Sequence, residues 1–250
     1  MEIDFSNQNA LVTGATRGIG KQIAEDLAKS GANLILTGTK KDQIEMLNEA
    51  SNEDDKCKRK YYCVDFTNAE SVETFIGELK NYDKIDICIN NAGINKIDYI
   101  DETRTRDWDD IISVNLKAPF LVIREVSRIM KRNGYGRIIN ISSILGVISK
   151  EKRSIYSSSK FGIMGMTMAV SNELARYNVL VNAVSPGFVL TDLTKKILGK
   201  DEMEELEAQI PAQRLAAPAD ISNVVLFLAS NFNTYITGQN IIVDGGYVNI

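Results

Sequence analysis

The 250-residue chain contains no histidine, which excludes a Ser-His-Asp triad, an HExxH zinc site and any imidazole base. An enzyme built from it must move protons with Tyr, Lys, Asp, Glu or Cys. Cysteine is scarce: Cys57, Cys63 and Cys88 show neither CxxC spacing nor a paired framework, so buried thiols are expected and no metal site. There are only four prolines, with no Pro- or Ser-rich linker, fixed-period repeat or low-complexity tract, and a single domain over 1–250 is the economical expectation. No long apolar run suggests a membrane span, and the acidic, polar start MEIDFSNQNALVTG lacks the pattern of an export signal. A net charge of -4 without a long basic patch argues against nucleic-acid or membrane partners and suits a cytoplasmic protein.

Short apolar runs alternate with longer amphipathic segments, the pattern of βα units and a mostly parallel sheet. Strands are expected at 9–13, 33–37, 60–64, 85–89, 136–141, 179–184 and 239–243. Helices are expected at 18–30, 40–52, 68–81, 107–132, 154–177 and 218–230, with Pro119 kinking or unwinding the fourth unless its neighbours compensate. The Lys- and Glu-rich stretch 190–213 interrupts this rhythm after a strand's carboxyl end. It is either a solvated helix pair or, as favoured here, a mobile lid over a substrate pocket.

Directly after the first strand comes TGATRGIG, with Gly14, Gly18 and Gly20 opening a helix. Glycines there allow a tight turn and close backbone approach to a pyrophosphate, while the helix start offers unpaired N–H groups to negative charge. The strand-before, helix-after context favours this over a plain βα turn. At the end of the fourth strand, Asn90-Asn91-Ala92-Gly93 offers amides that can bridge strands and a small step for a flat ligand, although alone it would pass for a turn. Tyr156 and Lys160 lie four apart on a helix, sharing a face. At about 4 Å and an effective dielectric of about 20, the ammonium would stabilise phenolate by around 4 kcal/mol and lower the phenol pKa by about three. By itself such a pair also describes an exposed helix surface. Upstream, Ser143 or its neighbour Ser142 could point a hydroxyl into the same cleft, and spacing does not separate them.

Taken in order, TGATRGIG, NNAG, Asn115, Ser143, YSSSK, SPGFVLT (185–191) and GQNIIVDGG (238–246) resemble the short-chain dehydrogenase/reductase family over nearly the whole chain. The resemblance implies an α/β, doubly wound Rossmann fold, with a seven-stranded parallel sheet and helices on both faces, in a dimer or tetramer. It implies hydride transfer between a nicotinamide and a carbonyl or secondary alcohol. Tyr156 would be the general acid or base, Ser143 rather than Ser142 would orient the substrate oxygen, Lys160 would serve the nicotinamide ribose and the phenol, and Asn115 would hold a water in the proton relay. Asn115 read alone is an Asn at a helix irregularity before Pro119.

The same resemblance places the cofactor's phosphates along Gly14, Thr16, Arg17, Gly18, Ile19 and Gly20. Adenine would lie by Asp65 and Phe66, its ribose by Asn91, Ala92 and Gly93, and the carboxamide by Pro186, Gly187, Val189 and Thr191. Asp65 could instead cap the next helix. NAD-preferring relatives usually carry Asp at the end of the second strand to accept from the ribose 2′-OH. Gly38 stands there, and Arg17, Thr39 and Lys40 suit a 2′-phosphate, so NADP(H) is expected over NAD(H), although Lys40 and Lys41 could simply solvate a helix start.

Within the family the chain looks most like the 3-oxoacyl-[acyl-carrier-protein] reductases. Tyr177 beside Arg176 stands where a basic carrier-protein contact is expected, which leaves a sugar, polyol, steroid or small ketone open as the small-molecule substrate. A cofactor-sensing regulator that had lost catalysis would lack Tyr156 or Lys160, and both are present.

Overall fold

The computed structural model describes residues 3–51, 57–191, 194 and 199–249. Seven strands, β1 (Asn9–Val12), β2 (Asn33–Gly38), β3 (Arg59–Cys63), β4 (Ile87–Asn90), β5 (Gly136–Ile141), β6 (Val179–Pro186) and β7 (Asn240–Val243), form one parallel sheet in the order β3-β2-β1-β4-β5-β6-β7. The central strands are buried on both faces and read as mainly apolar runs, with Arg137, Asn140 and Asn182 as buried exceptions, because helices leave no solvent side to demand alternation. On one face, α1 (Gly18–Lys29) and α8 (Pro218–Ala229) set Ile23, Leu27, Ile221 and Val225 against Ala10, Val12, Ile87 and Ile89. On the other, α3 (Ala69–Leu79), α5 (Ala118–Asn133) and α6 (Ser154–Leu174) set Phe75, Val122, Val126 and Leu174 against Leu11, Cys88, Ile138 and Val181. Ala10, Val12 and Leu11 thus divide between the two cores by strand alternation. The chain leaves β1 outward to β2 and β3, then returns to β4 on its other side. That reversal opens a crevice at the carboxyl ends of β1 and β4, where sheets of this kind bind ligands.

The predicted strands and helices form with most edges moved by a residue or two, α2 (Lys41–Ser51) among them, while the helix expected over 154–177 ends at Leu174 and closes in a 3-10 turn over Ala175–Tyr177. Only position 52 of the helix expected at 40–52 lies outside the described residues. The helix expected over 107–132 is broken. It runs as α4 (Thr105–Ile112), widens into a π turn over Ser113–Lys117 and resumes as α5. Pro119 lies in the first turn of α5, where its missing N–H costs little, so the wide turn before it absorbs the interruption.

Two further readings need correction. Cys63 is exposed, unlike buried Cys57 and Cys88, because β3 is an edge strand on which no residue is fully buried. The cap of α3 is Asn68, whose side chain accepts from Ser71 N at 2.9 Å. Asp65 instead closes a turn, accepting from Thr67 N at 2.9 Å and Thr67 Oγ1 at 2.7 Å. Within the stretch 190–213, α7 (Lys200–Ala208) is followed by buried Ile210, and Ala212 N donates to Gly245 O at 3.1 Å. Residues 192–193 and 195–198 of that expected lid lie outside the described residues. No helix among the described residues is long and apolar enough to cross a membrane.

Candidate active site

The glycine loop is shaped by what it must let past. Gly14 has φ +66° and Gly18 φ +54°, backbone that L side chains seldom adopt, and a Cβ on Gly14 would lie 2.9 Å from Ala92 Cα. At Gly20 a Cβ would sit 2.3 Å from both Asn91 Nδ2 and Gly14 O. Asn91 explains the crowding: its Nδ2 donates to Thr13 O and Gly14 O, each at 3.0 Å. Thr13 Oγ1 in turn accepts from the N–H groups of Asn91 and Ala92 at 3.0 Å. The NNAG segment therefore braces the loop, and Asn91's side chain is spent on it. Arg17, at the N-cap of α1, is exposed and makes no side-chain cap bond. The first turn of α1 thus keeps donors for an incoming anion, which fits a dinucleotide pyrophosphate.

Asn90 reaches across the sheet instead, donating to Asn140 Oδ1 at 2.8 Å, and Asn140 Nδ2 donates to Thr167 Oγ1 at 2.9 Å. Asn115 lies in the π turn, buried, with Nδ2 donating to Ile94 O at 2.9 Å and Ser159 Oγ at 3.1 Å while Oδ1 accepts from Ile94 N at 2.9 Å. It ties the segment after β4 to α6, one residue from Lys160. A Cβ on Gly93 would meet Asn115 Oδ1 at 3.5 Å and Lys160 Nζ at 3.7 Å, so these three positions share one corner.

The two serines after β5 separate by direction. Ser142 Oγ is buried and donates to Lys160 O at 3.2 Å. Ser143 is half-buried, its Oγ accepts from Leu145 N at 3.1 Å, and its hydroxyl faces the Tyr156 phenol, on whose pKa it acts. Lys160 is buried, donates from Nζ to Ile141 O at 2.9 Å, and lies 5.6 Å from the centroid of the Tyr156 ring. Burial brings its pKa down to about 8.

The expected depression of the phenol pKa by Lys160 is not what this geometry gives. Burial holds Tyr156 above its ordinary range, with the Ser143 hydroxyl and the charge of Arg153 pulling only partly against it. The ammonium is turned to a carbonyl, and burial penalises phenolate and ammonium alike.

The remaining predicted contacts spread along the crevice. Thr39 and Lys40 are exposed at the end of β2. A Cβ at Gly38 would come 2.4 Å from Thr16 Cγ2, so a side chain there would have to displace Thr16 of the loop. Phe66 is buried edge-to-face on Phe75, ring centroids 6.3 Å apart, so only its backbone can face a ligand across the sheet end. It also lines a cavity of about 450 Å³ between α3 and α5 whose walls include none of Ser143, Tyr156 or Lys160. Pro186 pairs with Val243 at the end of β6, Gly187 N donates to Val243 O at 2.9 Å, and Val189 is buried. Thr191 Cγ2 would be 3.6 Å from a Cβ on Gly18, which brings the segment after β6 against the glycine loop. The sequence reading missed Thr13 and Arg153. Thr13 could have been found as a hydroxyl at the strand end facing the NNAG amides, whereas nothing in the sequence marks Arg153 as enclosed.

Lys160→Met should stabilise the fold at pH 7 while removing function. A fall from 10.5 to about 8 means burial disfavours the charged form by about 3 kcal/mol, offset by loss of the hydrogen bond to Ile141 O at about 1–2 kcal/mol. Because the folded value lies below the unfolded one, this cost is fully present below about pH 8 and fades as pH rises toward 10.5. Thermal melts at pH 7 and pH 10 should show the variant's gain shrinking at the higher pH. An unchanged gain would contradict the burial argument.

The fold and this cleft define a dinucleotide-dependent oxidoreductase of the doubly wound class. Residues 14–248 match a short-chain dehydrogenase family described as enoyl-(acyl carrier protein) reductase. The chain belongs to the short-chain dehydrogenase/reductase family. It is 40% identical to the 3-oxoacyl-[acyl-carrier-protein] reductase of Aquifex aeolicus (strain VF5), over 98% of this chain and 99% of that one. Among solved structures it resembles an NADP-bound putative NAD(P)-dependent gluconate 5-dehydrogenase from Beutenbergia cavernae, with TM-score 0.91, 31% identity and 100% of both chains covered. A gluconate 5-dehydrogenase from Burkholderia cenocepacia J2315 in complex with NADP and tartrate gives TM-score 0.91 and 28% identity over 100% of this chain and 98% of that one.

Proposed function

We propose that this chain reduces the carbonyl of a small molecule, or oxidises the matching secondary alcohol, with Tyr156 exchanging the proton at the substrate oxygen. The protein is an NADP-dependent oxidoreductase acting on carbonyl or alcohol groups. The observation that carries the assignment to Tyr156 is the convergence of its phenol with the Ser143 hydroxyl and buried Lys160 in a chain without histidine. When bound, the cofactor supplies or accepts the hydride. Ser143 holds the substrate oxygen beside the phenol; Lys160 holds the nicotinamide ribose and keeps a positive charge near Tyr156. Asn115 fixes the backbone at Ile94 and Ser159, keeping this corner closed around the relay water that the family resemblance implies. The phenol stays protonated at neutral pH, which suits it to donate during reduction. The stretch 190–213 acts as the lid.

Along the cofactor, the first turn of α1 receives the pyrophosphate, and Asp65, Phe66 and residues 91–93 flank the adenosine. Pro186, Gly187, Val189 and Thr191 border the carboxamide. Arg17, Thr39 and Lys40 hold the 2′-phosphate, a reading supported by glycine rather than an acid at position 38 and by the exposure of Arg17, Thr39 and Lys40. Arg17→Ala combined with Lys40→Ala should weaken NADPH binding by about 100-fold, since each charge-assisted contact contributes roughly tenfold or more. NADH affinity should change by less than about threefold, because it lacks the phosphate that these charges hold. Equal losses for both cofactors, measured by fluorescence titration, would remove these residues from phosphate recognition.

A carrier-borne 3-oxoacyl substrate is the second reading. The similarity to such reductases favours it, and so does the setting of Tyr177. Lys131 Nζ lies 4.9 Å and Arg176 5.0 Å from its ring, so two cations flank the position where a basic residue was expected. A sugar or polyol substrate is the third. Exposed Trp108, Phe120, Phe161 and Met168 on α4, α5 and α6 support assembly into a homo-oligomer, in the cytoplasm. Following NADPH oxidation with acyl thioesters, simple ketones, ketosugars and polycyclic ketones tests the reading. No oxidation with any class would refute it.

A further inference from the structure

Arg153 stands three residues before Tyr156 at the start of α6, a spacing that puts two side chains on one helix face. Its Nε and Nη1 are shut off from solvent, and neither has a hydrogen-bond acceptor. Among the described residues no carboxylate is its partner: Lys96 pairs with Asp98, Arg104 with Asp107 and Arg106 with Asp110, while Arg153 forms no ion pair there. The one described group whose charge acts on it is the Tyr156 phenol, and burial weakens its hold on its proton. A half-buried guanidinium with two donors lacking an acceptor is costly. Its rigid set of N–H donors is suited to one kind of completion, a planar anion.

The neighbouring surface repeats this sign. Lys152 lies 4.3 Å from the ring centre of Tyr99, and Lys150 lies 5.8 Å from that of Phe188, which follows β6. Neither lysine forms an ion pair among the described residues. Lys150, Lys152 and Arg153, with exposed Glu151 among them, thus give the 150–153 segment a net positive charge beside the phenol.

We infer that Arg153 receives a carboxylate of the substrate, so that the enzyme acts on short oxo acids and their hydroxy-acid partners. The inference rests on Tyr156 marking the reacting oxygen. With that oxygen at the phenol, the guanidinium one helical turn away takes an acid group a few bonds from the reacting carbon.

The test pairs short oxo acids with their methyl esters as substrates for the enzyme and NADPH. In the native protein, kcat/KM for the acid should exceed that for the ester by about 30-fold, the range of a charge-assisted hydrogen bond. Arg153→Gln should erase most of that preference, chiefly through the KM of the acid, with the ester changing far less, and Arg153→Lys should restore part of it. Calorimetric titration of the NADP-loaded enzyme with short hydroxy acids gives a readout that needs no turnover: binding should saturate and be lost in Arg153→Gln. Several results overturn the inference. These are acid and ester used alike, a preference that survives Arg153→Gln, preferred turnover of acyl thioesters, or no hydroxy-acid binding. Equal losses on acid and ester with a shifted pH profile overturn it too, since Arg153 would then act through the phenol. A failure of the wider reading looks different, because Tyr156→Phe would then keep its turnover whatever Arg153 does.

Discussion

Tyr156→Phe is expected to lose turnover by roughly 10³-fold, within the range for removing a positioned proton donor, while still binding NADPH, since the rest of the cofactor crevice survives. The ring stays, so the wall it forms beside Lys160 stays, and only the hydroxyl that meets Ser143 is gone. No histidine exists to take over the transfer. The native pH profile adds a second check. The phenol, held above its ordinary range by burial, remains protonated through neutrality. Lys160 is the group that titrates first on the alkaline side, near 8, and its ammonium supplies the positive charge beside the phenol. Reduction should therefore be flat below about pH 8 and fall above it. Steady-state NADPH oxidation between pH 6 and 10 measures both effects. Near-normal turnover in the variant would end the assignment of Tyr156, and a rate that rose through pH 9 would end that of Lys160.

That the phenol is raised was not legible in the sequence, although its partner was. Four-residue spacing places an ammonium and a phenol on one face, but it carries no information about burial. The shift depends on which elements later close over the pair. The same blind spot hid Arg153, which at a helix start reads as one more solvated cation until Nε and Nη1 are seen to be enclosed. It also misassigned Cys63, whose exposure follows from β3 having no neighbour on one side. By contrast the strands were legible, because burial on both faces writes short apolar runs such as ALV at 10–12, LIL at 34–36 and ICI at 87–89 directly into the chain. The cofactor crevice was legible for a related reason. Glycines that must turn or admit another backbone cannot be replaced by a better local choice, so the pattern reports the geometry. The π turn at Ser113–Lys117 lies between these cases. Pro119 announced an irregularity, but its form was set by Asn115 binding both edges of Ile94.

The glycine loop allows a sharp trial of that claim. Gly20→Ala adds a single methyl at a point 2.3 Å from Asn91 Nδ2 and 2.3 Å from Gly14 O, far inside contact distance. One neighbour is backbone, and the other is an amide committed to Thr13 O and Gly14 O. Relief requires the amide to swing away, losing both bonds, or the loop to shift off the start of α1. Overpacking costs about 1–3 kcal/mol, and a buried amide left unsatisfied adds about 1–3 kcal/mol. The melting temperature should drop by roughly 5–15 °C for a chain of this size. NADPH affinity should fall by about 100-fold or more, because the N–H groups that meet the pyrophosphate move with the loop. The control is Gly77→Ala in α3, where a Cβ meets nothing within 4 Å; helix propensity alone predicts a gain of up to about 1 kcal/mol there. If Gly20→Ala melts and binds NADPH like the native protein while Gly77→Ala behaves as expected, close approach is not what the third glycine provides, and Asn91 does not hold the loop.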